Sequence, residues 1–191
     1  YRLLSGMRRQ EPLHNDRQLQ AAAPFADYNL VIAQAPAIES DFYQRIIDSS
    51  HIHAARVSLV SGRTYELLSH ATLALVTSGT ATLETALFRV PQVVCYYMRA
   101  GWFISRVRPY FLKVPYISLV NLIANCEVVP ELVAADMNVR QLTRHLQALL
   151  PPNAPARQAQ LQGYDEMAAR LGEPGAPQRA AHEMLQLLAQ R

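Results

Sequence analysis

The sequence predicts an α/β protein in which a parallel, doubly wound sheet of the Rossmann kind is followed by a helical C-terminal region. Two observations carry this prediction. Short apolar runs typical of buried strands alternate with helix-forming runs at intervals of about 15 to 25 residues. The last third of the chain shows helical patterns only. Because ligands bind at the carboxyl ends of the strands in such sheets, we expect a site in the loops that follow the strands.

The predicted elements follow from apolar runs bounded by turn residues. The strands cover residues 2–4, 28–33, 55–60, 73–76 and 92–97, with a short sixth at 115–119. The helices cover residues 11–23, 39–48, 65–70, 81–88, 138–150, 156–171 and 177–190. Pro24 stops the first helix, Pro91 suits the first position of a strand, and Gly172 is the expected C′ residue of the penultimate helix.

The domain organisation is predicted from the same pattern. Residues 1–150 form a Rossmann-like domain, and residues 151–191 form helices that pack on it or reach toward a preceding domain. The sequence starts at Tyr1 in the middle of a predicted strand, so we expect it to be the C-terminal half of a longer protein.

Composition excludes several classes of protein. Half of the 191 residues are apolar and 17% are charged, which excludes wholesale disorder. The net charge of +3 is too small to indicate nucleic-acid binding. Cys95 and Cys126 lack metal-ligand or disulfide spacing and indicate reduced residues of a cytoplasmic protein. No apolar run reaches the roughly 18 residues that a membrane span needs.

The stretch 78–84 is the strongest local signal, because it turns from a predicted strand through small residues into a helix. Its residues are Ser78, Gly79, Thr80, Ala81, Thr82, Leu83 and Glu84. The N–H groups and dipole of a helix N-terminus favour an anion such as phosphate. With Thr80 as the N-cap, Glu84 lies one position beyond the capping-box slot, where its carboxylate suits the vicinal hydroxyls of a sugar. The alternative is a strand-to-helix turn with a solvated glutamate.

The segment 99–114 combines basic and aromatic residues at helical spacing, with Pro109 kinking or restarting any helix. Such a segment can lie in a membrane interface with its aromatic side chains inserted and its basic groups near lipid headgroups. The residues expected to contact lipid are Arg99, Trp102, Phe103, Arg106 and Phe111. The alternative is a helix packed on the domain with arginines that extend to solvent.

Several catalytic and metal-binding motifs are missing. The chain has no P-loop, no G-x-G-x-x-G, no H-E-x-x-H and no D-x-D pair. The pairs His51 with His53 and Glu66 with His70 lack a third metal ligand. We therefore expect no metal and no cofactor, so that backbone amides and arginine must neutralise any bound diphosphate.

A series of motifs, in order along the chain, resembles the bacterial lipid-A-disaccharide synthases. The motifs are VTSGTATLETAL at 76–87, VPQVV at 90–94, KVPYISLVNLIA at 113–124, EVVPEL at 127–132 and LGEPGA at 171–176. A single S-G-T would be weak evidence, whereas this series extends over nearly the whole chain.

The resemblance implies a GT-B glycosyltransferase with two Rossmann-like domains, of which this chain is similar to the C-terminal, nucleotide-sugar-binding one. The implied reaction moves 2,3-diacylglucosamine from UDP to lipid X, which is 2,3-diacylglucosamine 1-phosphate. It inverts the anomeric centre, forms the β-1,6 lipid A disaccharide and releases UDP. The enzyme would act peripherally at the cytoplasmic face of the inner membrane, with homo-oligomer formation left open.

By resemblance, the phosphates of UDP would be held by Gly6, Arg8 and the turn 78–80, and the ribose by Glu84. Asn121 would line the donor site and Glu131 would assist it. The resemblance places no general base in this chain, because the acceptor domain would lie upstream of Tyr1, so the chain alone would be inactive.

Two departures from the family pattern keep other functions open. The first loop reads SGMR at 5–8 where the family usually has PGSR, and residues 124–127 read ANCE where the family tends to have AGRE. Asn125 and Cys126 thus favour a nucleotide-binding module without activity. A second alternative is another UDP-sugar enzyme of the same architecture, such as a UDP-N-acetylglucosamine 2-epimerase.

Overall fold

A parallel sheet forms the centre of the computed structural model, which describes residues 2–6, 12–50, 56–77, 79–96, 116–133, 136–172 and 175–189. The strands within these ranges are β1 Arg2–Gly6, β2 Asn29–Gln34, β3 Val57–Ser61, β4 Leu73–Val76, β5 Gln92–Tyr96 and β6 Glu131–Val133. The helices within the same ranges are α1 Pro12–Ala22, α2 Ser40–Ser49, α3 Thr64–His70, α4 Thr80–Leu87, α5 Leu119–Ala124, α6 Val139–Leu149, α7 Pro155–Leu171 and α8 Ala176–Ala189.

The six strands lie in the order β3-β2-β1-β4-β5-β6, and every neighbouring pair is parallel. This order confirms the predicted doubly wound, Rossmann-like sheet. The chain builds outward from β1 to β3 and then returns to place β4 on the other side of β1. The direction of winding therefore reverses between β1 and β4, which is where open sheets of this kind form their ligand crevice.

Strand β4 shows that the sheet is covered on both faces. All four of its residues are buried, and their side chains alternate between two hydrophobic cores. Leu73 and Leu75 belong to the core formed with α1, α2 and α6, whereas Ala74 and Val76 belong to the core formed with α3. Burial on both faces produces the continuous apolar run that the sequence analysis interpreted as a strand.

The sixth strand is not where the sequence predicted it. The expected strand at 115–119 is wrong, because Ser118 is the N-cap of α5 and its hydroxyl accepts a hydrogen bond from the N–H of Asn121 at 3.2 Å. The sixth strand is instead Glu131–Val133, which pairs with β5. Three residues are too few to show a strand period in a sequence, which is why this element was missed.

The C-terminal helices differ from each other in burial. Tyr164 and Met167 of α7 are buried in a core shared with α4 and α5. Four large side chains of α8 are 64–67% exposed, namely Met184, Leu185, Leu187 and Leu188. The division at residue 150, and the two roles predicted for the helices of residues 151–191, stay predictions.

Candidate functional site

The candidate site lies at the carboxyl edge of the sheet, between β1 and β4. Ser5 pairs with Leu75, so the end of β1 at Gly6 lies level with the end of β4 at Val76. The turn into α4 follows directly after β4. The structure thus brings the ends of the two strands that precede the predicted phosphate-binding loops to one edge, at the point where the winding reverses. Arg8 and Ser78 lie outside the described residues.

Gly79 is the residue that turns the chain from β4 into α4. It is the N-cap of α4, with φ 75° and ψ −154°. An added Cβ would meet no atom within 4 Å, so the backbone conformation, rather than space, favours glycine here. The prediction that Thr80 is the N-cap is therefore wrong. Thr80 and Ala81 are exposed in the first turn, where helix N–H groups lack intrahelical partners and are suited to an anion.

Thr82 and Leu83 face the interior. Thr82 is buried, and its hydroxyl and N–H both donate to the Gly79 carbonyl, at 2.9 and 3.2 Å. Leu83 packs against the core shared by α4, α5 and α7. The Thr82 side chain therefore stabilises the turn, and the Leu83 side chain anchors α4 to the core. The predicted contact of these two residues with a UDP-sugar stays a prediction.

Glu84 is half-buried and lines an open groove of about 500 Å³ between α4 and the start of α3. With Gly79 as the N-cap, it lies two positions beyond the capping-box slot, so capping does not account for it. The other residues of the groove are Gly62, Arg63, Thr64, Tyr65 and Glu66. Arg63 and Glu66 form an exposed ion pair on the far wall, with the Arg63 Nε atom 2.6 Å from Glu66 Oε2. The sequence analysis did not predict that residues 62–66 border a groove, because their residue types match no known binding motif.

Asn121 lies inside the protein. It is fully buried, and its Oδ1 atom accepts hydrogen bonds from the N–H groups of Val128 and Val129 at 2.8 and 2.9 Å. Its Nδ2 atom donates to the Val129 carbonyl at 2.8 Å and to Glu131 Oε1 at 2.9 Å. The side-chain amide therefore holds the segment between α5 and β6 in place. The prediction that Asn121 lines the donor site stays a prediction.

Glu131 occupies the N-terminal end of α5. Its carboxylate accepts hydrogen bonds from the N–H groups of Ile117 at 2.9 Å and Ser118 at 2.8 Å. A carboxylate at this end of a helix is favoured by the helix dipole. The chain thus supplies its own anion to α5, whereas the N-cap of α4 is a glycine with no side chain to offer. The predicted assisting role of Glu131 in donor binding stays a prediction.

Asn125 adopts a left-handed conformation, with φ 53° and ψ 29°, as the C-cap of α5. Asparagine tolerates this conformation better than other residues with a side chain. The departure from a glycine at this position therefore preserves the turn. Cys126 follows it and is exposed, at the position where the family pattern has an arginine.

The described residues contain neither a candidate metal site nor a candidate membrane span. Within them, no group of three or more His, Cys, Asp or Glu side chains is placed to hold a metal ion. In the same ranges, no helix combines the length and apolarity needed to cross a bilayer. The predicted lipid-contacting residues, Arg99 to Phe111, lie outside the described part of the chain.

Comparison with known proteins assigns the family. Residues 2–181 match the family described as lipid-A-disaccharide synthetase. The lipid-A-disaccharide synthase of Anaeromyxobacter dehalogenans is 37% identical over 168 residues, which cover 88% of this chain and 42% of that protein. The chain belongs to the lipid-A-disaccharide synthase family. It spans less than half the length of this relative of the synthase family.

Solved structures show the same fold for this synthase-family chain. The calicheamicin glycosyltransferase CalG4 matches with a TM-score of 0.60 and 16% identity, over 98% of this chain and 42% of that one. A protein described as a UDP-N-acetylglucosamine 2-epimerase from Listeria monocytogenes matches with a TM-score of 0.52 and 15% identity, over 87% of this chain and 38% of that one. The first likeness confirms the predicted glycosyltransferase architecture, but identities this low show fold alone.

Proposed function

We propose that this chain is the donor-binding part of a lipid-A-disaccharide synthase. In the proposed reaction, 2,3-diacylglucosamine is transferred from UDP to lipid X with inversion, forming the β-1,6 disaccharide and UDP. Membership of the family supports this proposal, and so does the glycine-capped start of α4 at the carboxyl edge beside β1. The start of α4 is the observation that carries the proposal, because a helix N-terminus suited to an anion lies at the crevice of the sheet.

The proposed chemical task is to stabilise the leaving group. UDP departs with growing negative charge, so donors aimed at its phosphates lower the energy of the transition state more than that of the ground state. The N–H groups of Thr80 and Ala81 at the exposed start of α4 are suited to this task. Arg8 would add a forked, charge-assisted contact from the loop after β1. Neutralisation by amides and arginine requires neither a metal nor a cofactor.

The nucleoside would lie in the groove beside α4. The Glu84 carboxylate would accept hydrogen bonds from the ribose hydroxyls, one turn from the phosphates. The base would extend toward the wall formed by Gly62 and Tyr65, which borders Glu84 in the same groove. A volume of about 500 Å³ is within the usual range for small-molecule sites. The groove thus supports a nucleoside diphosphate with the phosphates at the sheet edge.

The remaining catalytic parts belong to the rest of the proposed synthase. The acceptor site and the general base would be contributed by a preceding domain across the cleft. The substrates are lipids, and the basic aromatic residues Arg99, Trp102, Phe103, Arg106 and Phe111 would hold the enzyme peripherally at the cytoplasmic face of the inner membrane. Homo-oligomer formation is compatible with the proposal, which does not depend on it.

Two alternatives are weighed against this proposal. The likeness to an epimerase is one of fold, whereas the synthase family matches in sequence over most of the chain. An inactive binding module is favoured by Cys126, which removes a guanidinium from the family pattern. Asn125 does not favour it, because the left-handed turn is retained.

Calorimetry with UDP tests the proposed function. The 191-residue chain is expected to bind UDP equally well with and without a metal chelator. UMP, which lacks the second phosphate, is expected to bind at least about tenfold more weakly, because each charge-assisted contact contributes about 1.5–3 kcal/mol. If the folded chain gives no heat with millimolar UDP, donor binding by this chain is excluded. UDP binding that requires a divalent cation would overturn the metal-free mechanism.

A further inference from the structure

A buried polar cluster connects α7 to the first turn of α4. Gln92, the first residue of β5, is fully buried, and its Nε2 atom donates to the Thr82 carbonyl of α4 at 2.9 Å. The same Nε2 atom lies 3.3 Å from the Tyr164 hydroxyl of α7. One side chain of the sheet therefore contacts both helices.

Two residues of α7 hold Gln92 in place. Gln160 accepts a hydrogen bond from the Gln92 N–H at 2.7 Å and donates to the Gln92 carbonyl at 3.0 Å, as a neighbouring strand would. The Tyr164 hydroxyl lies 3.1 Å from both the Val90 carbonyl and Gln160 Oε1, and it donates its one hydrogen to one of them. All three of the side chains Gln92, Gln160 and Tyr164 are at most 3% exposed.

Burial of three polar side chains is costly unless their hydrogen bonds are made. Within the described residues, the Gln92 Oε1 atom is buried without a partner, so the side-chain hydrogen bonds of Gln92 are made by its Nε2 atom. A methionine or leucine would fill the same space without these requirements. Hydrogen bonds, unlike apolar packing, require particular orientations of the groups that make them. The polar side chains therefore fix the orientation of Gln92 relative to the Thr82 carbonyl.

Thr82 links the cluster to the turn proposed to hold phosphate. Its hydroxyl and N–H donate to the carbonyl of Gly79, and its carbonyl accepts from Gln92. A change in the position of Gln92 would therefore be passed to the N-cap of α4 through one residue. Because helix N–H groups must be aimed at the developing charge, a small tilt of α4 would weaken diphosphate binding.

We infer that Gln92, Gln160 and Tyr164 are positioning residues, which hold the first turn of α4 in the orientation that binds the diphosphate. This inference rests on the proposed function, because it concerns the same anion site. Helix α7 thereby has a specific effect on phosphate affinity beyond its contribution to the core.

Nucleotide binding tests this inference in matched variants. In Gln92→Met the volume is retained and the Thr82 bond is lost, and in Tyr164→Phe only the hydroxyl is removed. Both are expected to weaken UDP binding by about tenfold and to change uridine binding much less. The control is Arg157→Met, which removes the bonds of Arg157 to the Thr72 and Leu149 carbonyls at the opposite edge of the sheet. It is expected to leave both affinities unchanged.

Two outcomes of the binding experiment overturn the inference: UDP affinity unchanged in both cluster variants, or UDP and uridine affinities lowered in parallel in all three variants. Hydrogen exchange of the α4 amides separates this failure from failure of the proposed function. Exchange in α4 is expected to be faster in Gln92→Met than in Arg157→Met. If the unsubstituted chain does not bind UDP, the proposed function fails and the exchange result alone decides the positioning role, with equal exchange in both variants overturning it.

Discussion

Asn121 donates a hydrogen bond to Glu131 across 2.9 Å and thereby joins the middle of α5 to the start of β6. The carboxylate that receives this bond also accepts from two N–H groups at the start of α5. The pair thus fixes a helix and a strand that are separated by an irregular connection. The contribution of this pair to the stability of the fold can therefore be measured without any ligand.

Asn121→Ala is expected to lower the free energy of unfolding by about 2–4 kcal/mol. The reason is that it leaves the N–H groups of half-buried Val128 and buried Val129 without their acceptor, at a cost of about 1–3 kcal/mol for a buried group and less for an accessible one. Urea denaturation followed by circular dichroism measures this change. Gln162→Ala, at an exposed position of α7, is the control and is expected to change stability by less than about 0.5 kcal/mol. Equal stability of the two variants would contradict the role assigned to Asn121.

Gly79→Ala is expected to destabilise the chain by about 1 kcal/mol or more, because alanine disfavours the positive φ at this position. Gly172→Ala is a matched control, since Gly172 caps α7 with φ 74° and ψ −168°, close to the values of Gly79. Both variants should lose similar stability in thermal unfolding. Only Gly79→Ala should also weaken UDP binding, because only that turn faces the candidate site. Equal UDP affinity in the two variants would argue against a phosphate at α4.

Glu84→Ala is expected to weaken UDP binding by about tenfold or more, through loss of charge-assisted bonds to the ribose. In the unsubstituted chain, 2′-deoxy-UDP should bind more weakly than UDP, and in the variant this difference should shrink. Glu166→Ala, at an exposed position of α7, is the control and should leave both affinities unchanged. If the variant discriminates against the deoxynucleotide as strongly as the unsubstituted chain, Glu84 does not contact the ribose.

Cys126→Arg is expected to strengthen UDP binding by about tenfold, because it restores the guanidinium of the family pattern next to α5. Asn125→Gly is the comparison and should have little effect on affinity, since both residues accept the left-handed turn. Isothermal titration of the two variants with UDP measures the difference. An unchanged affinity in Cys126→Arg would show that this position lies away from the phosphates, and would remove the argument for an inactive module.

The two cysteines are expected to differ in reactivity. Burial raises the pKa of the Cys95 thiol far above its ordinary value, so thiolate is almost absent there near neutral pH, whereas Cys126 is exposed. Iodoacetamide at pH 8 should modify Cys126 in the folded chain and Cys95 only after unfolding. Because the raised pKa belongs to the folded state, stability from Cys95 is complete below the ordinary cysteine pKa and is lost at higher pH. Cys95→Ala should reduce this loss of stability at alkaline pH, and an unchanged slope would contradict it.

The sheet could be predicted from sequence because its strands are buried on both faces. Runs such as Leu73–Val76 are continuous and apolar, and helices separate them regularly. The position of the candidate site could be predicted in part, because small residues after β4 indicate a turn into a helix at the carboxyl edge of the sheet. The side-chain networks could not, since the partners of Asn121 lie seven to ten residues away in an irregular segment and those of Gln92 lie on α4 and α7. Hydrogen bonds between distant elements leave no periodic signal in a sequence.

The pairing of β1 with β4 has a consequence for folding. Ser5 and Leu75 lie side by side in the sheet although seventy positions separate them in the chain. We expect a contact this distant to form only after the intervening β2 and β3 have been placed, because closing so long a loop costs entropy that the first contacts do not offset. The strand ends that border the candidate site would therefore come together late in folding. Nucleotide binding would report completion of folding, and during refolding it should appear after the helical signal has already been regained.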